Sequence, residues 1–212
     1  MYAALLTTAL FSLSASGMEL SVGARIGLNL SSIIGDTEAI MGPRVGINAE
    51  AFASEWFNES FGLQEEIGLG ARGESWKNSD SVDYGVLNEF ASSLTYLEIP
   101  ILAKWRFVQL ENLRPVLYGG ITLGFPIVAE SEYFGNSTDM EQYTQPVDLG
   151  LTAGVSLDIK RGNAIIPIDL RYTWGATNYL NNPNYPLVFH HSVLSLSVGF
   201  GWIVDFAKKS EF

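Results

Sequence analysis

The sequence predicts an all-β protein, an eight-stranded antiparallel up-and-down transmembrane β-barrel. Three observations lead to this fold. Apolar and polar residues alternate with a period of two in eight separate runs, as expected for strands with one apolar face. The connections between these runs alternate between short and long. No stretch reaches about 18 consecutive apolar residues, so a membrane-spanning chain would have to cross the bilayer with strands.

The fourth run, in the middle of the chain, shows the alternation most fully. Ile99 and Ile101 share one face with Trp105, whereas Glu98 and Lys104 share the opposite face. One face of this run is entirely apolar, and the opposite face carries charges of both signs. Such a strand is expected where a sheet separates an apolar environment from a polar one. In chain order, the eight runs cover residues 20–30, 44–51, 61–72, 95–107, 116–125, 147–159, 166–174 and 194–204.

The other runs repeat this division with different residues. The first sets aliphatic residues against serine, glycine and asparagine, and the second sets them against Arg44 and Glu50. The third carries three glycines on its polar face, and Glu65 interrupts its apolar face. The fifth and sixth alternate aliphatic residues with glycine, threonine and serine. The seventh and eighth end in aromatic residues, among them Trp174 and Trp202.

The connection lengths indicate the topology. Residues 56–59, 108–113 and 161–163 form short connections, whereas the other four connections are long and polar. In an up-and-down meander, alternate connections lie at opposite ends, so all short ones share one rim. Outer-membrane barrels have this asymmetry, with short periplasmic turns and longer extracellular loops. The long connections are 31–42, 73–92, 128–145 and 176–190.

Alternation alone does not decide which face points outward, since a soluble lipocalin-like barrel would have its apolar face inside. The polar faces are mostly small residues, which suit a narrow interior better than a water-exposed surface. The runs have about the 9 to 11 residues of a transmembrane strand. Aromatic residues near run ends predict interfacial girdles. These aromatic residues are Trp56, Phe57, Trp105, Phe107, Phe125, Trp174, Trp202 and Phe206.

A lipid-facing orientation places charged residues inside the barrel, where they need partners or water. We interpret them as a structural polar network. The alternative is a gated ion path or a binding site at the mouth. The residues assigned to this network are Arg25, Arg44, Glu50, Glu66, Glu98, Lys104, Arg106, Asp169 and Arg171.

Composition and the chain ends narrow the possibilities further. The 212 residues include no cysteine and carry a formal net charge of -11, which argues against nucleic acid as a partner. Residues 1–17 read as a signal peptide, although no basic residue precedes the apolar run; the alternative is a first strand or a buried helix. The barrel is then expected over 18–206, followed by a short tail at 207–212.

Four segments carry a family resemblance: "RIGLNLS" from Arg25, "GLQEEIGLGARG" from Gly62, "YLEIPILAKWRF" from Tyr96 and "DLRYTWG" from Asp169. The chain resembles the PorT-like outer-membrane β-barrel proteins, a group with an OmpA-like barrel. The resemblance implies an eight-stranded barrel in the outer membrane of a Gram-negative-type cell, and a link to protein secretion. It also implies outer-membrane lipid, lipopolysaccharide and the assembly machinery as partners, with an aromatic residue near the end recognised during assembly.

Little in the sequence points to catalysis. His190 and His191 are the only histidines and are interpreted as surface residues near the rim, without a catalytic triad or a metal site around them. We therefore predict no enzyme and no cofactor. The favoured function is a scaffold whose long loops bind a protein or glycan, with Tyr133, Phe134 and Tyr143 as contacts. The alternatives are a narrow channel or small-ligand transporter and, third, a barrel enzyme.

Overall fold

The computed structural model describes residues 19–35, 42–77, 89–108, 110–133, 136–140, 144–178 and 188–204. All regular structure in these ranges is β-strand, and no described helix is long and apolar enough to span a membrane. The expected signal peptide and C-terminal tail lie outside the described residues. The strands are β1 Glu19–Gly35, β2 Gly42–Trp56, β3 Phe61–Lys77, β4 Glu89–Arg106, β5 Leu113–Tyr133, β6 Asn136–Asp139, β7 Asp148–Arg161, β8 Ala164–Gly175 and β9 Phe189–Val204.

Eight of these strands close into a barrel, as the sequence predicted. Strands β1 to β5 and β7 to β9 each pair antiparallel with both neighbours, and the pairing of β1 with β9 closes the ring. The short β6 adds to the long-loop end of β5 and takes no part in the ring. Every barrel strand therefore has its backbone hydrogen bonds satisfied on both sides, as a membrane-spanning sheet requires.

The strands are longer than the alternating runs. Residues 128–133, predicted as part of a long loop, continue β5, and residues 136–139 fold back on them as β6. Similarly, β3 and β4 remain paired as far as Lys77 and Glu89. Polar residues in these extensions give no period-two signal, but pairing with a neighbouring strand satisfies their backbone groups. The long-loop rim is therefore partly a raised sheet.

The opposite rim is built from short turns. Residues 162–163 connect β7 to β8 by a two-residue hairpin, in which Gly162 takes a positive φ of 62°. The turn between β2 and β3 is closed by the Asn58 side chain, which accepts hydrogen bonds from two backbone N–H groups at 2.8 Å. The first described residue, Glu19, and the last, Val204, also lie at this rim.

The apolar face points outward, as predicted for a transmembrane barrel. In β4, Ile101 and Trp105 are 38% and 46% exposed, whereas Leu102 and Lys104 between them are 0% and 7% exposed. The other barrel strands show the same division between exposed aliphatic and buried polar residues. The interior is close-packed, because a side chain at Gly154 would collide with the Tyr118 phenol. An outer face of this kind requires lipid.

Most of the predicted girdle aromatics lie on the outer face near the two rims. At the short-turn rim, Trp105 and Phe61 are register partners, and at the other rim Trp174 is exposed on β8. Trp56 is an exception, because its side chain points into the barrel and is 1% exposed. Phe206 lies outside the described residues. The exposed aromatics at the short-turn rim are Phe57, Phe61, Trp105, Phe107 and Trp202.

We predict that Leu151→Arg and Ile99→Arg each destabilise the folded barrel by about 2 to 4 kcal/mol, the cost of a cation near the middle of the lipid-facing surface. Both side chains point outward within the apolar band. The measurement is reversible urea unfolding in lipid vesicles, followed by tryptophan fluorescence. Leu110→Arg is the matched control, since Leu110 is equally apolar and 53% exposed but lies in a short connection. Equal losses at all three positions would contradict the assignment of the lipid-facing surface.

Candidate functional site

The centre of the lumen holds a cluster of five charged side chains from four strands. Arg25 of β1 lies 2.6 Å from Glu50 of β2 and 2.5 Å from Glu66 of β3. Arg171 of β8 donates two hydrogen bonds to Glu66, at 2.9 and 3.0 Å. Asp169 lies 3.6 Å from Arg25 and 3.7 Å from Arg171. We call these five residues the central cluster.

The position of Glu66 explains why the cluster closes the lumen. Strand β3 and strand β8 are on opposite sides of the ring, so the pair of Glu66 with Arg171 spans the interior. The Glu66 side chain is fully buried. Two guanidinium groups share it, and Arg171 binds it in the bidentate geometry that makes arginine–carboxylate pairs strong. The Tyr118 hydroxyl completes the cluster by donating to Asp169 at 2.7 Å.

A second layer lies between the central cluster and the short turns. Lys104 donates hydrogen bonds to Gln64 at 2.7 Å and to Ser54 at 3.2 Å, and its Nζ lies 4.0 Å from Asp158. Beside these residues is a void of about 10 Å³, the size of a single water molecule. The layer is therefore filled by side chains, with room beside them for about one water molecule.

The short-turn end of the lumen is closed by a charged and aromatic layer. Glu19 accepts hydrogen bonds from Arg114 at 2.7 Å and from Arg106 at 3.3 Å. The Arg106 guanidinium also stacks 3.7 Å from the centroid of the Trp56 ring. This cation–π contact explains why Trp56 turns inward rather than joining the aromatic belt.

A fourth charged layer lies on the other side of the central cluster, toward the long loops. Arg72 lies 2.6 Å from Glu98 and 3.0 Å from Asp148, and its guanidinium stands 4.6 Å from the centroid of the Tyr96 ring. The Tyr96 hydroxyl in turn lies 3.1 Å from His191 Nε2. Between this layer and the central cluster, the described side chains of the lumen are neutral and hydrogen-bonding. These neutral side chains are Asn29, Asn48, Thr122, Thr152, Thr173, Ser195 and Ser197.

A described residue beyond β6 lies on the inner wall at the long-loop mouth. Met140 packs against Leu94, Tyr96 and Ala129 on this wall. Its backbone N–H donates to the Ala129 carbonyl at 2.9 Å, and the Thr144 hydroxyl donates to the Met140 carbonyl at 2.9 Å. Met140 and Thr144 thus narrow the mouth from the side of β5.

The charges of the lumen cancel one another. Eight cationic and eight anionic side chains face inward among the residues whose side chains the structure describes. The formal net charge of -11 is therefore carried by the loops, the chain ends and the outer face. The inward-facing residues are Arg25, Arg44, Arg72, Lys104, Arg106, Arg114, Lys160, Arg171, Glu19, Glu50, Glu66, Glu74, Glu98, Asp148, Asp158 and Asp169.

The structure brings together five of the nine residues assigned to the network, and these five form the central cluster. The other four take part in separate contacts: Glu98 pairs with Arg72, while Lys104 and Arg106 occupy the two layers near the short turns. Arg44 donates to the Ser92 carbonyl at 2.6 Å. Sequence reasoning also missed the inward orientation of other residues, which strand parity would have predicted. Among these residues are Glu19, Trp56, Glu74 and His191.

The two adjacent histidines lie on opposite faces of β9, which corrects the interpretation of both as surface residues. His191 points inward to Tyr96, whereas His190 lies beside the outward-facing Trp174, with ring centroids 5.4 Å apart. Neighbouring residues of one strand cannot share a metal ion or a triad in this arrangement. In the described part of the chain, no group of three or more potential metal ligands is present.

The three aromatic residues expected to make loop contacts cannot be placed. Tyr133 ends β5 and pairs with Asn136, but its side chain is outside the described residues. Phe134 and Tyr143 also lie outside the described residues. Their role stays a prediction.

The closed ring, the apolar outer face and the paired charges inside define a transmembrane β-barrel with a filled lumen. The comparison with protein families identifies the particular group. The family model described as "Outer membrane protein beta-barrel domain" matches residues 12–181, and the chain belongs to this family. The protein is an outer-membrane β-barrel. No curated protein matches the chain.

Solved structures of outer-membrane barrels share the fold at low identity. Neisserial surface protein A is 16% identical, with 88% of this chain and 97% of that chain covered and a TM-score of 0.50. A major outer membrane protein from Thermus thermophilus is 11% identical, covering 88% and 99%, also at 0.50. The attachment invasion locus protein Ail of Yersinia pestis, in complex with the heparin analogue sucrose octasulfate, is 19% identical, covering 87% and 100%, at 0.48.

We predict that Glu66→Gln lowers the free energy of unfolding by about 3 to 5 kcal/mol, because it leaves two buried guanidinium groups short of a charged partner. Urea unfolding in lipid vesicles measures this change. Glu111→Gln removes the same charge from an exposed position in a short connection and should change the free energy by less than about 0.5 kcal/mol. An unchanged stability of Glu66→Gln would show that the central cluster does not hold the barrel together.

Proposed function

We propose that this protein is a closed structural scaffold in the outer membrane whose long-loop side binds a protein or a glycan. The observation that carries this proposal is the filled lumen. The pair of Glu66 with Arg171 spans it, the stack of Arg106 on Trp56 occupies the short-turn end, and Met140 packs on the inner wall near the other end. A lumen filled at its centre and at its short-turn end leaves the rim as the surface for recognition.

The rim offers a rigid base for such contacts. Strands β3 to β5 stay paired above the apolar band, and β6 extends this sheet by one strand. Glu130 of β5 and Asp139 of β6 are directly opposite each other on the exposed part of the hairpin. Both residues are exposed at the rim, so they add to the negative charge that a partner would meet there.

The charge of the long-loop side supports a partner with a basic surface. Apart from the inward-facing Arg44 and Glu74, the connections on that side and the strand ends that border them carry nine acidic residues and a single basic residue, Lys77. Such a field attracts cationic groups and repels polyanions such as nucleic acid. The acidic residues are Asp36, Glu38, Asp80, Asp83, Glu89, Glu130, Glu132, Asp139 and Glu141.

The family resemblance supports further elements of the proposal. The PorT-like resemblance favours a role linked to protein secretion, with lipopolysaccharide around the barrel and the assembly machinery as a transient partner. The rival function is a narrow channel or small-ligand transporter, which the many polar and charged side chains inside the lumen favour. Catalysis has less support, because the two histidines lie on opposite faces of β9.

We predict that the purified, folded protein shows no steady conductance in planar bilayers. The reason is that no path avoids the central cluster, whose charges are held by bonds of 2.5 to 2.9 Å. Folding is checked on the same sample by its heat-dependent shift in electrophoretic mobility. A stable open pore in the wild-type protein would overturn the scaffold and favour the channel.

We predict that Asp80→Asn combined with Asp83→Asn weakens partner binding without affecting folding. These acids lie in the connection between β3 and β4, on the long-loop side. The measurement is the amount of partner that co-purifies with the barrel after crosslinking on intact cells. The control removes two charges from the short-turn side, through Glu59→Gln and Glu111→Gln. If both double variants lost the same amount of bound partner, the effect would come from net charge alone. If the variant of Asp80 and Asp83 lost none, recognition through this connection would be contradicted.

A further inference from the structure

The outer face of the barrel carries two carboxylates on the short-turn half of β2 and β3, Glu65 within the apolar band and Glu55 at its edge. Glu65 faces outward between its register partners Ala53 and Ile101. Glu55 faces outward next to Leu20. An ionisable side chain on a lipid-facing surface is costly unless it meets a partner. The lumen cannot supply that partner, because both side chains point away from it.

The two carboxylates lie close together and one is enclosed. Glu55 is 7% exposed, and its Oε1 atom has no hydrogen-bond partner. Glu65 is half-buried and opens toward the lipid. Because Glu65 pairs with Ala53, Glu55 is its diagonal neighbour on the same face, at about 7 Å between the side-chain bases. A single cationic group with several N–H donors fits between carboxylates at this spacing.

A furrow of small side chains leads from the carboxylates along β2. The outward-facing residues that follow Glu55 toward the long loops are Ala53, Ala51 and Ala49. Larger residues flank them, such as Ile67, the register partner of Ala51 on β3. At Ala49 the furrow opens into an apolar groove on the outer surface, lined also by Ile26, Leu28, Ile47, Leu196 and Val198.

The length of the furrow matches one leaflet of a membrane. From Glu55 to Ala49 the strand advances six residues, about 20 Å along its own axis. A barrel strand tilted by about 40° covers about 15 Å of membrane depth over that distance. This is half of a hydrocarbon core about 30 Å thick.

We propose that the outer face of β2 and β3 binds one phospholipid with a primary-ammonium head group, from the leaflet on the short-turn side. The ammonium lies between Glu55 and Glu65 and donates hydrogen bonds to both carboxylates. One acyl chain lies along the alanine furrow and ends in the groove beyond Ala49. A second copy of this chain does not fit the site, because a two-fold interface would bring the four carboxylates together.

Native mass spectrometry of the full chain in detergent tests this site. The probes are phosphatidylethanolamine and phosphatidylcholine with identical acyl chains, which differ in whether the head-group nitrogen carries N–H donors. We expect phosphatidylethanolamine to be retained about tenfold better, the effect of one additional charge-assisted hydrogen bond. Equal retention of the two lipids by the wild-type protein would overturn the proposal.

Three variants test whether the lipid binds at the proposed site. Glu55→Gln combined with Glu65→Gln should abolish the preference while keeping the barrel folded, since it removes charges from an apolar surface. Ala51→Trp should fill the furrow and reduce retention of both lipids, and Glu111→Gln should change nothing. A preference that survives in the double variant would overturn the site. Carboxylate-dependent binding of a lysine-bearing transmembrane peptide, with no preference between the lipids, would also overturn it and assign the surface to a protein partner.

Discussion

The ion pairs of Glu66 with Arg25 and Arg171 are the interaction on which the rest of the barrel depends. Charges removed from water are tolerated only with close partners, and here Arg171 reaches Glu66 from the opposite side of the ring. The pairing therefore fixes the width of the lumen as well as its charge. A wider barrel would separate Arg171 from the Glu66 carboxylate and break the contact that spans the lumen.

The same constraint shapes the surrounding sequence. Long charged side chains can meet across the lumen only where neighbouring inward positions are small, so glycine, serine and threonine fill the gaps between charged layers. The outer face has the opposite requirement, because lipid rejects polar groups. Period-two alternation satisfies both requirements within one strand, and this explains why Lys104 can lie between the exposed Ala103 and Trp105.

This alternation made most of the fold predictable. The eight runs and the rim of short turns follow directly from local sequence. The strand extensions above the apolar band were missed, because residues 130–133 and 136–139 are mostly polar and are ordered by pairing with each other rather than by an apolar face. Trp56 was predicted to join the aromatic girdle on the outer face. It follows the inward-facing Glu50 by an even number of residues in β2, which indicates that it faces inward too. The partners of Glu66 were not predictable, since they depend on how the ring closes.

The charged residues are distributed unevenly over the barrel, and each region has a different role. The charges of the lumen cancel and serve stability and closure, so the excess of acid lies outside the lumen. In the function we propose, the acidic residues on the long-loop side select basic surfaces. In the proposed lipid site, Glu55 and Glu65 meet a cation in an apolar setting, which strengthens each interaction. The same acidic composition would then act weakly over a wide rim and strongly at one point on the lipid-facing wall.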